Sequence, residues 1–571
     1  MKKILSILIT MIMLFSLCSC TKAPVPKGAE AVPQTSPTVE MTAKPTPTPD
    51  NSPQKPRRHS DGIDHNSFEA SQKAEPRKET EIDRQILKSA EERKQAIRAT
   101  KTNVEFTGTA YYVSADGNDK ASGKSESEPW KSIAKLNKTK LKPGDAVFFK
   151  RGDTWRGECL ELKAGVTYSA YGEGDKPAIY GSPENGTGAE KWELLEGTNN
   201  IWVFHEEMPE CGCVVLNDEI WAQKVNPYLA GKKFTMPDGS GDAFDVKKAL
   251  SSDLTFYSED DTFVVYHNAF EGQRHEGKLY LRCDKGNPGE VYSSIEFCPW
   301  TNTNGGKGLL YTREVESVGL IRDVITVDNL TIKYTGGYGM YLFGSSALVQ
   351  NCEVGWIGGC TTNYFASDFF GGSGNCIGSY GDVDNYSVRN CYLYQAYDSG
   401  ISSEQSDYGE GCQQNITFED NLIEDCLFGI EFYVGDENTD APSVALENVA
   451  VKGNYILNTG NGFGSKRQMR RWNIYDAALM FHPYYEDMKN VVVSGNVLYK
   501  SGNYIVLCGT KKKPTFAGNT FVQENKGGLC LWGVENNGVR GLDEYLYDEK
   551  AERIVHEIIG DRTAAVAPLS E

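Results

Sequence analysis

The sequence predicts an all-β fold, a right-handed parallel β-helix solenoid, because seven short segments share one register. Each has an apolar residue, two turn-forming residues, a key position that is Asn in four units and Cys in two, one free position and a second apolar residue. The segments begin at Val327, Val349, Val388, Phe418, Val451, Val493 and Phe516. Successive starts lie 22 to 42 residues apart, so the shorter rungs are minimal and the longer ones carry loops. Constant register at unequal spacing is typical of a solenoid with insertions on one side.

Stacking is what makes such short segments stable. One unit alone has too little surface to bury, whereas stacked units form a continuous apolar interior and pair each backbone with the rungs above and below. The key residues Asn421, Asn454, Asn496 and Asn519 should then hydrogen-bond to one another as an inward ladder. Most rungs have a second predicted strand, with starts at Gly339, Gly400, Gly429, Gly462 and Gly528. An ordinary β-sandwich with strands at chance spacing is the alternative.

Residues 1–20 have the features of an export signal. Lys2 and Lys3 precede an apolar run that ends in the letters LCSC at residues 17–20. This ending resembles the lipobox of bacterial lipoproteins, which implies cleavage before Cys20 and attachment of lipid to its sulfur. We therefore expect an extracytoplasmic protein, lipid-anchored to the bacterial cell membrane, with a plain secretion signal as the alternative.

Two segments separate this signal from the solenoid, and one follows it. Residues 21–78 hold nine prolines between Pro24 and Pro56, a composition that predicts a disordered, extended tether. Residues 79–104 have helical spacing and many charges, and this helical segment should either cap the open end of the solenoid or continue the tether. Residues 536–571 also have helical spacing and predict a short C-terminal helix that caps the last rung, followed by a tail.

Charge and cysteine content narrow the function classes. The formal net charge is −19 over 571 residues, which disfavours nucleic acid as a partner. Beyond the signal there are thirteen cysteines, several at ladder or strand positions, and we expect mostly buried free thiols rather than a disulfide framework. We find no metal-binding signature in the sequence and expect no metal site.

Three stretches resemble the opening coils of the pectate-lyase-like superfamily of secreted β-helix proteins. They are YYVSADGND at 111–119, LKPGDAVFFKRGDTWR at 141–156 and YGEGDKPAIYG at 171–181. Turn-rich strands then break the rung pattern, and an insertion at this point resembles β-helix glycosidases. The resemblance therefore implies N-terminal β-helix coils (105–189), an inserted β-rich domain (190–310) and the main β-helix (311–535). It says little about chemistry, since the superfamily includes lyases, hydrolases, epimerases and inert surface proteins.

Two outward-facing glutamates are the strongest candidates for catalysis. Aligning the second strands places Glu404 diagonally opposite Glu431 on neighbouring rungs, with Cα atoms roughly 8 Å apart. Such a pair suits a retaining or an inverting glycosidase, because repulsion drives the two pKa values apart so that one acid is protonated while the other is charged. Asp398, just before the strand of Glu404, is a third candidate, although it is as well placed to cap a turn. Ordinary solvent-facing strand acids are the alternative for both glutamates.

Nearby residues are candidates for substrate binding. Tyr397, Tyr433 and Trp472 could stack on sugar faces, and His482 opens a further loop. Lys466 and Arg467 belong to the dense basic cluster at 465–471. The alignment of the second strands places Glu404, Tyr433 and Lys466 in one outward column on successive rungs, and this column continues to Trp532. A lyase acting on uronates needs such cations to neutralise the substrate carboxylate and remove a proton. A solvated loop that balances local acids is the alternative.

Three hypotheses follow from these residues. The first is a surface lipoprotein that hydrolyses a polysaccharide with Glu404 and Glu431. The second is β-elimination on a uronate polymer, centred on Lys466 and Arg467, for which Ca²⁺ would be a possible cofactor; hydrolysis needs none. The third is a carbohydrate-binding surface protein without catalysis. In each case the expected partners are a polysaccharide or oligosaccharide and, through the lipid, the membrane, and the chain is expected to be a monomer.

Overall fold

The computed structural model describes most of the chain from residue 75 onward. The described ranges are 75–101, 104–225, 245–259, 276–301, 308–313, 321–365, 369–372, 374–405, 411–434, 444–466, 476–482, 485–510, 512–536 and 539–569. Residues 1–74, which include Cys20 and most of the predicted tether, therefore lie outside the described part. No helix within the described ranges is long and apolar enough to cross a membrane.

Three ten-stranded sheets wrap around one interior and form the walls of the solenoid. Sheet one contains, in spatial order, Ala110–Val113, Ala146–Lys150, Thr167–Tyr171, Ile321–Asp328, Ser345–Gln350, Val383–Arg389, Gly411–Glu419, Val444–Lys452, Tyr485–Ser494 and Thr515–Ala517. Sheet two contains Thr154–Arg156, Ala178–Tyr180, Thr331–Thr335, Glu353–Ile357, Tyr392–Ala396, Leu422–Glu424, Tyr455–Thr459, Val497–Ser501, Thr520–Val522 and Ala565–Val566. Sheet three contains Leu160–Glu161, Gly308–Tyr311, Tyr338–Phe343, Ile377–Tyr380, Ser399–Gln405, Phe428–Val434, Ala477–Phe481, Tyr504–Cys508, Gly528–Asn536 and Val539–Leu546.

The predicted register is confirmed in all seven units. The first apolar positions pair in one column from Val327 to Phe516, and the last ones pair in another from Ile332 to Phe521. Both columns are buried in the main core. The third position of every unit has a left-handed backbone, which explains its residue types: Asn329, Asn351, Asn390, Asp420, Gly453, Gly495 and Gly518. Asn, Asp and Gly tolerate positive φ best, so this position turns the chain from sheet one to sheet two.

The inward asparagine ladder is also confirmed. The Asn421 amide donates to the side-chain oxygen of Asn454, Asn454 donates to Asn496, and Asn496 donates to Asn519, each at 2.9 Å. The sequence pattern did not reveal how the ladder ends. Asp561 accepts hydrogen bonds from both the backbone and the amide of Asn519, so a carboxylate closes the C-terminal end.

The insertion folds as a separate seven-stranded sheet with its own apolar core. Its strands, in spatial order, are Ile295–Pro299, Cys211–Leu216, Ile220–Lys224, Thr255–Ser258, Leu279–Arg282, Ile201–Phe204 and Trp192–Leu194. Gly308–Tyr311 already pairs with Leu160–Glu161 and Tyr338–Phe343 of sheet three, so the solenoid resumes slightly before residue 311.

A helix at Glu81–Ala99 lies lengthwise on the outer face of sheet two. Arg98 pairs with Glu353 at 2.8 Å, and Lys94 pairs with Glu424 at 3.0 Å, two rungs further along. The helix therefore runs along the side of the solenoid, which is neither of the two positions expected for this segment.

The remaining helices are short. They are Ile133–Asn137, Ala189–Lys191, Val246–Ala249, Pro288–Val291, Phe463–Lys466 and the consecutive Ala551–Arg553 and Ile554–Ile559. Within the predicted C-terminal segment, Val539–Leu546 is instead a strand that pairs antiparallel with Gly528–Asn536 and ends sheet three. The helical turn after it buries Val555 and Ile559 in the main core. The twelve cysteines whose side chains the structure describes are free thiols, and all of them but Cys159 are buried, as expected.

The prediction of the second strands was wrong at one rung and incomplete at three. Residues 463–466 form a short helix rather than a strand. Gly462 and Gly464 lie against the backbones of Asp425 and Tyr397, where a Cβ atom would clash. Sheet three also has strands at Ile377–Tyr380, Ala477–Phe481 and Tyr504–Cys508 that the pattern did not indicate.

Candidate active site

The candidate site lies on the outer face of sheet three. Glu404 pairs in register with Tyr433, and Ser402 pairs with Glu431. The two glutamates are thus one rung apart and two residues apart along the strand, which confirms their diagonal placement. Since rungs are separated by about 4.8 Å and two strand residues by about 6.7 Å, the Cα atoms are roughly 8 Å apart.

Glu404 is held by a set of hydroxyl and amide groups. The side-chain amide of Asn375 donates to Glu404 Oε1 at 2.6 Å, and it also lies 2.8 Å from the hydroxyls of Tyr380 and Ser402. Burial raises the pKa of Glu404 to about 7, and the charge of Asp398 adds to this effect. Hydrogen bonds from Ser402, Asn375 and Tyr380 oppose the shift. Glu404 therefore has the protonation behaviour of a general acid near neutral pH.

Glu431 has different surroundings. It is 6% exposed and accepts a hydrogen bond from the hydroxyl of Ser399 on the preceding rung. Its neighbours in the column are Ser402 on one side and Met480 on the other. The two glutamates therefore share one surface but have different partners.

Asp398 lies at the turn that leads into the strand of Glu404. Its backbone oxygen accepts hydrogen bonds from the N–H groups of Leu427 and Phe428, at 2.9 and 3.1 Å, so the next rung fixes its main chain. Its side chain is half-buried and close enough to influence the pKa of Glu404. Three carboxylates are thus brought together on neighbouring rungs.

Aromatic side chains extend the Glu404 column toward the C-terminal rungs. The rings of Tyr433 and His482 are 4.5 Å apart, and both side chains are half-buried. His482 follows strand Ala477–Phe481, and its N–H donates to the Phe432 carbonyl at 2.9 Å. A planar, partly exposed pair beside an acid is suited to contact the apolar face of a sugar ring.

Three other residues of the sequence prediction differ from the placement expected for them. Lys466 ends the helix Phe463–Lys466, and His482 takes the position beyond Tyr433 that the alignment gave to Lys466. Tyr397 is 4% exposed and packs against Phe463, so it cannot stack on a sugar. Trp532 is 1% exposed and belongs to the main core, so its outward placement was also wrong. Arg467 and Trp472 lie outside the described residues.

Sequence reasoning missed Asn375, Tyr380 and Ser399. The first two belong to the rung of Ile377–Tyr380, one of the three rungs whose strand was not predicted. The pattern did not indicate this strand because its inward positions include Ser379 and because Gly378 interrupts the apolar residues. The available signal was an Asn-Cys-Ile start at residue 375, similar to the key positions of other rungs. An alignment against Gly400 and Gly429 would have placed this rung between two predicted ones.

The insert approaches the same edge of the solenoid. Gly212 of the insert is so close to Gly358 and Gly359 that a Cβ atom would lie 2.3 Å from the Gly358 oxygen. Gly374, which precedes Asn375, is equally close to Gly358. Consecutive glycines thus let three backbones meet beside the candidate site, where the insert borders it. Within the described ranges no group of His, Cys, Asp or Glu side chains is arranged to hold a metal ion.

Comparison with known proteins supports the fold. A family profile described as a right handed beta helix region matches residues 317–470. A lacto-N-biosidase of Bifidobacterium longum subsp. longum is 40% identical over 99 residues, which are 15% of this chain. The match spans only 6% of the length of that relative.

Solved structures with similar topology are distant in sequence. The xylose complex of XylC has a TM-score of 0.40 and 14% identity, covering 77% of this chain and 74% of that one. A GH136 lacto-N-biosidase from Eubacterium ramulus has a TM-score of 0.35 and 13% identity, covering 79% and 68%. A rhamnogalacturonan lyase has a TM-score of 0.31 and 9% identity, covering 81% and 87%. The profile match and the three parallel sheets together identify a right-handed parallel β-helix.

Proposed function

We propose that this protein is a glycoside hydrolase that acts on an extracellular polysaccharide or oligosaccharide, with Glu404 as the general acid. The observation that carries the proposal is the raised pKa of Glu404, about 7, beside the hydrogen-bonded carboxylate of Glu431. Two carboxyl groups in different protonation states are the minimum that glycoside hydrolysis needs. The segment that is 40% identical to a lacto-N-biosidase supports a carbohydrate substrate.

The roles of the two glutamates follow from their surroundings. Glu404 donates its proton to the glycosidic oxygen as the bond to the anomeric carbon breaks, and the leaving sugar departs as a neutral alcohol. Glu431, charged and oriented by Ser399, either attacks the anomeric carbon or removes a proton from the attacking water. The distance between the carboxyl groups in the substrate complex decides which of these occurs.

The aromatic pair gives the substrate a direction. Tyr433 and His482 continue the column of Glu404 along the solenoid axis, one and two rungs away. Since rungs repeat at about 4.8 Å, similar to the length of one sugar unit, a glycan chain is expected to lie across the rungs. One sugar would then stack on these rings while its glycosidic oxygen meets Glu404.

The test is substitution of the acids in a protein whose fold is otherwise kept. Glu404→Gln, Glu431→Gln and the double variant should lose at least about a thousandfold in turnover of a responsive glycan, because each removes a proton donor or a charged group from the reaction. Glu447→Gln is the matched control, since Glu447 pairs with Lys489 on sheet one, away from the site. Turnover retained by the double variant would exclude this mechanism.

The same assay separates the other two hypotheses. Reducing ends without unsaturated sugars indicate hydrolysis, whereas unsaturated products that absorb ultraviolet light on a uronate polymer indicate β-elimination. Binding of glycans without any product, at equal strength in the wild type and the double variant, indicates a binding protein. Either of the last two results would move attention from the glutamates to other residues.

We further propose that Cys20 carries the lipid that holds the protein at the outer side of the bacterial membrane, on the basis of its lipobox-like context at residues 17–20. Metabolic labelling with a fatty acid should mark the wild type and not Cys20→Ser, and the variant should move from the membrane fraction to the soluble fraction. An unlabelled wild-type protein would point to a plain secretion signal.

A further inference from the structure

One buried amide connects the two candidate acids. Asn375 is 1% exposed, and its side-chain nitrogen lies 2.6 Å from Glu404 Oε1. Its side-chain oxygen accepts the backbone N–H of Ser399 at 2.9 Å. Because a backbone N–H can only donate, this contact fixes which way the amide points, so the NH₂ group must face Glu404.

Ser399 completes the connection on the other side. Its backbone N–H is bonded to Asn375, and its hydroxyl donates to Glu431 Oε2. Ser399 and Asn375 are both buried, in contrast to ordinary polar residues on the outer wall of a solenoid. A continuous chain of hydrogen bonds therefore runs from Glu404 through Asn375 and Ser399 to Glu431.

We infer that Asn375 and Ser399 are positioning residues that hold the two carboxyl groups of the reaction in a fixed orientation and at a fixed mutual distance. This inference rests on the proposed function, because it needs Glu404 and Glu431 to react. It goes further by assigning roles to two residues that do not themselves touch the substrate.

The groups that face Glu404 define the electrostatic effect of Asn375. Asp398 lies just before the same strand, Tyr380 lies on the preceding rung and Tyr433 lies on the following rung. Tyr386 of sheet one interacts with Glu404 electrostatically from the core of the solenoid. Burial and Asp398 favour the neutral acid, whereas the donors favour the carboxylate. Asn375 thus lowers the pKa of Glu404 from a still higher value, which keeps the acid strong enough to give up its proton near pH 7.

The experiment is a pH profile of kcat/KM, which reports the free enzyme. Asn375→Ala removes a donor to the Glu404 carboxylate, so the alkaline limb should move up by about half to one pH unit, and kcat/KM at the optimum should fall about 10- to 100-fold. Asn375→Asp keeps the shape and the acceptor for Ser399, and places a second carboxyl group beside Glu404. Its alkaline limb should therefore move upward at least as far, in a protein that folds normally.

Two further variants test the direction of the pKa shift of Glu404 and the hydrogen bond between Ser399 and Glu431. Asp398→Asn removes the nearby negative charge, so the alkaline limb should move to lower pH, opposite to the Asn375 variants. Ser399→Ala removes the hydroxyl that orients Glu431 and leaves the donors to Glu404 in place, so kcat should fall about 10-fold with little change in KM, while the alkaline limb stays. Ser403→Ala is the matched control, because Ser403 pairs in register with Phe432 and faces the core.

The outcomes separate this inference from the proposed function. Inactive Glu404→Gln and Glu431→Gln proteins, together with a shifted alkaline limb in the Asn375 variants and a lower kcat in Ser399→Ala, support both. Inactive glutamate variants, together with Asn375 variants whose alkaline limb does not move and a Ser399→Ala protein with the kcat of the wild type, overturn the positioning role and leave hydrolysis standing. Active glutamate variants overturn the proposed function, and the positioning role with it.

Discussion

At the scale of single residues, two glutamates on one sheet face differ because their partners differ. Glu404 is half-buried near Asp398 and its pKa is raised to about 7, whereas Glu431 accepts a hydrogen bond from the Ser399 hydroxyl. A raised pKa of this kind lowers the stability of the folded protein at pH values above the pKa of a free glutamate. At such a pH the folded protein must either keep the carboxyl group protonated or bury its charge. A functional acid should therefore be visible in the pH dependence of unfolding.

Replacing Glu404 by Gln should raise thermal stability, and only at higher pH. The folded-state pKa of about 7 lies above the unfolded value, so the stability contribution of Glu404 is fully present below about pH 4.5 and is lost as the pH rises through 7. Glu404→Gln cannot lose a proton, so it should exceed the wild type by on the order of 2 kcal/mol at pH 8 and by little at pH 4.5. Melting temperatures of both proteins across this range measure the effect, with Glu447→Gln as control. A difference independent of pH would contradict the raised pKa.

At the scale of elements, one turn repeated seven times builds the solenoid. The left-handed residue at the third position directs the chain from sheet one to sheet two. In the last four units an inward Asn follows it, and these asparagines bond to one another from rung to rung. The two features support each other, since the turn places the amide in the interior and the ladder satisfies its polar atoms. The stability of the repeat therefore depends on the ladder as well as on apolar stacking.

Asn454→Ala should destabilise the solenoid strongly. Asn454 donates to Asn496 and to the Phe418 carbonyl, and its oxygen accepts from Asn421, all in the interior. Its loss leaves several buried polar groups unpaired at about 1–3 kcal/mol each, so we expect a loss of about 3 kcal/mol or more. Denaturant or thermal midpoints measure this loss.

Asn448→Gly is the matched control for the ladder variant. Asn448 belongs to an exposed row of asparagines on sheet one, where it bonds to Asn415, and its φ of +55° suits glycine. Its replacement should cost less than about 1 kcal/mol. Equal losses of stability in Asn454→Ala and Asn448→Gly would show that the inward ladder contributes no more to stability than the exposed row of asparagines.

At the scale of the whole molecule, the helix Glu81–Ala99 joins rungs that are far apart in sequence. Its 19 residues span about 28 Å, comparable to the height of six rungs at about 4.8 Å each. Before its first turn, the guanidinium of Arg77 pairs with Asp83, and the Arg77 N–H donates to Glu524 near the last rung. At its other end, Arg98 reaches Glu353. The helix should therefore stabilise the stack as a unit.

Arg98→Ala tests this role. Arg98 makes two hydrogen bonds to Glu353, whose side chain is only 7% exposed and also lies 3.4 Å from Lys333. Arg98 itself is 41% exposed, but its removal leaves the buried Glu353 carboxylate without two of its hydrogen bonds, which should cost about 1–2 kcal/mol, measured as a lower melting temperature. Arg84→Ala is the control, because the Arg84–Glu81 pair is exposed and should contribute less than about 0.5 kcal/mol. A loss in Arg98→Ala no greater than in the control would contradict a stabilising role for the helix.

The sequence by itself determined the solenoid: its rungs, the apolar columns from Val327 to Phe516, the asparagine ladder and the diagonal of Glu404 and Glu431. These features repeat within each rung, where local backbone preference and apolar spacing act over a few residues. Only the tertiary structure decided what surrounds the acids. Asn375 meets Glu404 across 29 residues, and His482 replaces Lys466 beside Tyr433 because a short helix interrupts the strand pattern at Phe463–Lys466. Loops of unequal length decide which strands become neighbours, and that choice depends on contacts between distant residues rather than on local pattern.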